Sequence, residues 1–351
     1  MNGYILLADG TRLVGKLAGA RKFAYGFLAA NTGVVGFQEM ITDPAYRGSL
    51  LAFTYPEVGN VGVTKAFSES SGVQAAGVVV RVLSEFRTNY RSEQSLNDFL
   101  ADAGVPCLTD VDTRGLAVHL RDKGEMPAAI VPADADAEQV RKTLAGVQRP
   151  VFTPADPAVA RNGRMGPRVA VIDLGMRRSL LGQLSLCSVP EVFAWNAAAE
   201  TILASRPAGL FVSDGPGNTL PPRETVEAVR ALIGRLPILA CGLGHVALGL
   251  ALGCKAVFLP RGHHGANYPV RDVTEGSVEV TEQRHSVVLD RSSVEDNTDV
   301  SLLWENVNDE SVEGIAAAEA AAIGLQPTLA AARPGDVNPH IQAFVNEHLV
   351  R

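Results

Sequence analysis

The second half of the chain alternates near-continuous apolar runs with amphipathic stretches of helical period. RVAVIDLG (168 to 175), VFAWN (192 to 196), GLFVSDGPG (209 to 217) and the run from Pro237 to Ala240 read as strands. MRRSLLGQLSL (176 to 186), AAETILASR (198 to 206) and PRETVEAVRALIGR (222 to 235) read as the helices between them. Strands that are apolar throughout are buried on both faces, so this rhythm predicts a mostly parallel sheet covered by helices. Ligands of such sheets sit at the carboxyl ends of the strands, which puts SDGPGN and ACGLGH near one crevice. After residue 275 the strands shorten and alternate (SVEVTEQRHSVVL, SLLWENVN, VEGIAAAE), which predicts antiparallel hairpins at one edge.

The first half has a different grammar, punctuated by Gly and Pro and expected to form a β-rich α+β domain. YILLADGTRLVGKLAG (4 to 19) is a pair of strands around Asp9-Gly10, and GVVVRVL (77 to 83) is a buried strand. FQEMITDPAY (37 to 46) and LAFTYPEVGNVGV (51 to 63) read as irregular loops between short strands. Helices are expected over 92 to 104, 113 to 124 and 134 to 146. PVFTPADPAVARNGRMGP (150 to 167) has no periodicity and reads as a linker, giving domains at 1 to 149 and 168 to 351.

Composition narrows the function classes. Of 351 residues 46% are hydrophobic and 20% charged, an ordinary soluble balance with room for more than one core. A net charge of −7 argues against nucleic acid or an anionic membrane as partner. No apolar run approaches the ~20 residues of a membrane span, and the chain is expected in the cytoplasm. Cys107, Cys187, Cys241 and Cys254 are irregularly spaced, so neither a disulfide framework nor a metal site is signalled, and no cofactor is expected. His263 and His264 are adjacent on a strand and point to opposite faces, with no third ligand nearby, which argues against a metal there. Gly215-Pro216-Gly217 lacks the Lys-Ser/Thr of a phosphate loop and reads as a tight turn.

The chemistry is concentrated in PILACGLGHVALGLALG (237 to 253), a strand that turns sharply into an apolar helix. That is the frame of a nucleophile elbow, which presents one side chain on a strained backbone above a sheet. Here the elbow position is Gly242, which has no side chain to react. Cys241, one residue earlier, is expected to point to the opposite face and leaves an outside possibility of displaced chemistry.

The elbow resembles the G-x-C-x-G-x-Q motif of class I glutamine amidotransferases. Over nearly its whole length the chain resembles the small subunit of carbamoyl phosphate synthetase within that family. ADGTRLVGK (8 to 16), NTGVVGFQEMITDPAY (31 to 46), TYPEVGNVGV (54 to 63) and DVDTRGL (110 to 116) carry the likeness in the first half. VIDLGMRRSLL (171 to 181), VSDGPGN (212 to 218), GLGHVALGLALG (242 to 253) and RGHHGANYPVRD (261 to 272) carry it in the second.

The resemblance implies a Cys-His-Glu triad in which imidazole activates the thiol and carboxylate orients the imidazole. Gly242 stands at the cysteine. Aligning LQPTLAAARPGD (325 to 336) on Gln326 puts Thr328 at the histidine and Ala330 at the glutamate, and the stretch holds no His or Glu in any register. The implied glutamine pocket is eroded too: Val246 replaces a glutamine, Arg284-His285-Ser286-Val287 an Asn-His-Gly-Phe turn, and Arg47 a serine. Gly215, Gly217 and Leu243, whose backbone lines that pocket, are kept. The resemblance therefore implies a degenerate member, a structural or regulatory partner of the synthetase large subunit in arginine or pyrimidine pathways. Two alternatives stay open. One is a stand-alone protein holding a small anion in the old crevice, with Arg47, Arg284 and His285 as candidates. The other is residual glutaminase activity through Cys241.

Overall fold

The computed structural model describes residues 1–154 and 166–350; most of the expected linker falls outside the described residues. Two compact units emerge, the first from Met1–Pro150 with Pro260–Gly265, the second from Val151–Leu259 with Ala266–Arg351.

In the first unit the strands are β1 (Asn2–Leu7), β2 (Arg12–Gly19), β3 (Ala24–Asn31), β4 (Leu50–Phe53), β5 (Glu57–Val58), β6 (Gly77–Val79), β7 (Val82–Leu83), β8 (Pro106–Thr109) and β9 (Pro127–Pro132). Seven of them close into a barrel in the order β1-β2-β8-β6-β4-β3-β9, which removes the exposed sheet edges. The four residues of β4 are all buried because its two faces meet different cores. Leu50 and Ala52 pack with Ile5, Leu28 and Ile130, whereas Leu51 and Phe53 pack with Ile41, Val78 and Leu96. Helices α1 (Phe37–Thr42), α2 (Leu96–Asp102), α3 (Thr113–Lys123) and α4 (Ala137–Ala145) complete the unit. The last three start at side-chain caps, Ser95, Asp112 and Asp136, that accept hydrogen bonds from first-turn amides.

Two expectations for this half are corrected. The segment from Phe37 to Tyr46 is a short α-helix followed by a 3-10 turn at Pro44–Tyr46, and Leu50–Phe53 is a central strand. Residues 77 to 83 do not form one strand: β6 belongs to the barrel and β7 pairs in parallel with β5 in a separate two-stranded sheet.

The second unit adds β10 (Arg168–Asp173), β11 (Val189–Ala194), β12 (Gly209–Val212), β13 (Ile238–Cys241), β14 (Ala256–Asp272, apart from its residues Pro260–Gly265, which belong to the first unit), β15 (Val278–Leu289), β16 (Ser301–Asn306), β17 (Val312–Ala317) and β18 (Ala322–Leu325). They form a nine-stranded sheet in the order β11-β10-β12-β13-β18-β17-β16-β14-β15. Pairing is parallel from β11 to β18 and antiparallel across β18, β17, β16 and β14. Helices α5 (Arg178–Cys187), α6 (Ala199–Ala204), α7 (Arg223–Leu232), α8 (Leu243–Ala251), α9 (Arg291–Glu295) and α10 (Pro339–Phe344) follow in chain order.

Side-chain alternation sorts the helices onto two faces. Ala170, Leu210, Val212, Ile238 and Ala240 meet α6, α7 and α8, while Val169, Phe211, Leu239 and Cys241 meet α5 and α10. The expected parallel, helix-covered sheet with an antiparallel edge is therefore present. The edge strands are long rather than short, β14 running for 17 residues and β15 for 12.

Candidate functional site

The elbow forms where β13 gives way to α8. Gly242 has φ +53 and ψ −119, a region that side-chain-bearing residues enter only with strain of about 1–3 kcal/mol. Its amide donates to the Leu325 carbonyl at 3.0 Å, and the Gly244 amide donates to Ser213 at 3.1 Å, so neighbouring strand ends hold the turn on both sides. A Cβ on Gly244 would collide with the Val212 and Ser213 carbonyls. Glycine lets the helix start this close to β12.

The Gly-Pro-Gly turn beside it is equally tight. A Cβ on Gly215 would drive into the Leu174 carbonyl, and one on Gly217 into the Arg284 carbonyl. The Ser286 amide donates to the Gly217 carbonyl at 2.7 Å, which joins the turn to β15.

At the mouth of the elbow lies a pair that sequence reading did not single out. The Arg177 guanidinium Nε donates to Asp214 Oδ2 at 2.7 Å, with side chains 4% and 16% exposed. Asp173 at the end of β10 shapes the approach, its Oδ1 accepting from the Gly175 and Met176 amides at 2.8 Å each. Asp214 follows β12 by two residues. The pair therefore joins the carboxyl ends of two adjacent parallel strands, the position where such sheets carry function. The available signal was two charged residues, in DLGMRRS and SDGPG, each just past a predicted strand.

Thr328 and Ala330, expected at the triad positions, lie in the segment that follows β18. The Thr328 amide donates to the Glu282 carbonyl at 2.8 Å, and the Ala330 side chain is exposed. Cys241 points away from the elbow into the core with Val169, Phe211 and Leu325. Burial pushes its thiol well above the usual range and the Asp214 carboxylate adds to this, while Arg177 and a hydrogen bond to the Asp214 backbone oppose it. A buried thiol so hard to ionise is a weak nucleophile.

The residues expected to line a pocket divide. Leu243, Val246 and Val287 pack into the core under α8, so Val246 faces the apolar interior rather than a crevice. Arg284 bonds Glu282 through Nη2 at 2.6 Å and Nε at 3.1 Å, which neutralises its charge locally and counts against an anion site there. His285 is buried with Nε2 2.8 Å from Gln283 Oε1 and 3.9 Å from the Glu313 carboxylate. Arg47 closes the 3-10 turn of the first unit. His245, on the elbow helix, is fully buried, and desolvation lowers its pKa to about 4. In the first unit His264 Nε2 lies 2.7 Å from the buried Glu125 carboxylate.

Comparison with known proteins follows this architecture. Residues 5–130 match the family described as Carbamoyl-phosphate synthase small chain, CPSase domain, and residues 170–326 match Glutamine amidotransferase class-I. The chain is 37% identical over 347 residues to the carbamoyl phosphate synthase small chain of Listeria monocytogenes, covering 97% of this chain and 95% of the relative. It is 39% identical over 336 residues to that of Methanopyrus kandleri, covering 93% of each. It is 35% identical over 329 residues to a pyrimidine-specific small chain of Lactiplantibacillus plantarum, covering 93% of this chain and 90% of the relative. Both the barrel unit and the elbow-bearing sheet thus have counterparts in one and the same kind of protein, and the chain belongs to the carbamoyl phosphate synthase small-chain family.

Proposed function

We propose that this small chain does not hydrolyse glutamine and acts as a structural or regulatory partner of a synthetase large chain, which makes carbamoyl phosphate from free ammonia. The observation that carries this reading is Gly242 at the elbow, which sits at φ +53 and ψ −119 and has no side chain to react. Amide cleavage by this fold needs a thiolate, a base to generate it and a group to orient the base. Gly242, Thr328 and Ala330 supply none of the three. The tight glycine turns support the same view, because they preserve packing between β12, β15 and α8 whether or not glutamine binds.

A partner is supported by an exposed apolar surface on the first unit. Val34, Val35, Tyr55 and Val61 are 63%, 79%, 40% and 40% exposed and border a groove of about 200 Å³ floored by Phe53. Contiguous apolar surface of this kind marks contact sites in soluble proteins. Co-expression with the large chain tests the reading. The two are expected to co-purify and to make carbamoyl phosphate from ammonium chloride but not from glutamine. A chain that stays alone at micromolar concentration would sink the partner role.

A further inference from the structure

We infer that the groove of the first unit is one half of a larger docking surface whose other half is the loop from Ser84 to Ser92. Its occupant is an apolar segment of the synthetase large chain that carries carboxylates. This rests on the partner role proposed above and adds the place of the contact and its chemistry.

Backbone hydrogen bonds join the two halves. Glu57, Val58, Asn60 and Val61 line the groove, and the loop is bonded along that same segment. The Ser84 amide donates to the Val58 carbonyl at 2.9 Å. The Thr88 amide and hydroxyl both donate to the Asn60 carbonyl, at 2.9 and 3.1 Å. The loop also bonds itself, the Ser84 hydroxyl donating to the Phe86 carbonyl and the Arg91 amide to Asn89 Oδ1, each at 2.9 Å. So tethered a loop holds its side chains in place and loses little freedom on docking. Its aromatic residues are nevertheless left in water, Phe86 at 78% and Tyr90 at 88% exposed. Together with Val34, Val35 and Tyr55 they extend the apolar surface well past the groove.

Charge selects the occupant. Arg81, Arg87 and Arg91 are exposed in the loop and its approach, and among the described residues no carboxylate lies within ion-pair distance of any of them. Arg91 Nε donates to the Tyr90 hydroxyl at 2.9 Å, which sets a cation beside an exposed ring. Against the three arginines stand Glu57 and Glu85, and Glu85 has Lys16 as a neighbour. The patch is therefore cationic on a chain whose net charge is −7. A second copy docked through the same surface would set arginine against arginine, so the symmetric dimer is disfavoured. Guanidinium groups take carboxylates in paired hydrogen bonds, and arginine and tyrosine are the residue types that dominate contact energetics.

The test is titration of the full chain with the large chain at low and high salt. Phe86→Ser with Tyr90→Ser is expected to weaken binding about tenfold or more at either salt concentration. Arg87→Glu with Arg91→Glu is expected to weaken it about tenfold at low salt and to remove most of its salt dependence. All four positions are exposed, so thermal melting should match that of the unaltered chain. Val280→Ser, 66% exposed on the second unit, is the control and should bind unchanged. Variants that bind as tightly as the unaltered chain refute this surface and leave the partner role standing. No binding by the unaltered chain refutes the partner role and this contact with it. A dimer of the unaltered chain by itself, lost in Phe86→Ser with Tyr90→Ser, would assign the patch to a second copy and overturn the proposal.

Discussion

Gly242 donates its amide to the Leu325 carbonyl at 3.0 Å, tying the elbow to the last residue of β18. The segment from Gln326 to Ala330, expected from the resemblance to align with a catalytic histidine and carboxylate, follows directly from that residue. That segment holds Thr328 and Ala330 and contains neither His nor Glu.

If the turns are kept for packing, enlarging them must cost stability. Gly244→Ala pushes a Cβ against the Val212 and Ser213 carbonyls and is expected to destabilise the fold by about 2–3 kcal/mol. Gly182→Ala is the control. Gly182 is exposed within α5, nothing lies within 4 Å of its added Cβ, and helix propensity favours alanine by about 0.5–1 kcal/mol. Urea unfolding of both variants should move in opposite directions.

His245 gives the fold a defined sensitivity to acid. Its pKa is about 4 when buried against an ordinary 6.5, so the unfolded chain binds a proton first as pH falls. The stability present above pH 6.5 declines through that window and levels off below about 4. At about pH 5 the loss from this residue approaches 2 kcal/mol. His245→Asn, which does not titrate, should show a correspondingly shallower fall in unfolding free energy between neutral pH and about pH 5. An unchanged slope would exclude His245 as the cause.

Thiol accessibility follows burial. Cys107 is pushed up to about 12 by desolvation, and Cys241 is raised well above its ordinary value for the same first reason. Cys187, half-buried near the end of α5, is the most open of the four. Peptide mapping after brief alkylation of the native chain should find label at Cys187 first and none at Cys107 or Cys241. Early labelling of Cys241 would revive the possibility of chemistry there.

The sheet of the second unit was readable because both of its faces are covered, which leaves uninterrupted apolar strands such as GLFV and ILAC bounded by Gly turns. The elbow was readable for the same reason, with Gly242 at its turn. What escaped was set by tertiary contact. Helix α1 is six residues long with no side-chain cap at its start, too short for periodicity to declare it. The run 77 to 83 looks continuous, but its two ends pair with different strands, β4 and β8 on one side and β5 on the other. Val246 fits a pocket motif by position, yet its helix turns it into the core. The Arg177–Asp214 pair spans 37 residues of sequence and exists only because β10 and β12 are neighbours.

Ammonia release from glutamine tests the central claim most directly, measured on the purified chain alone and with the large chain added. The account predicts no release above buffer in either case, and no change on Cys241→Ala. Saturable release of ammonia by the unaltered chain would contradict it.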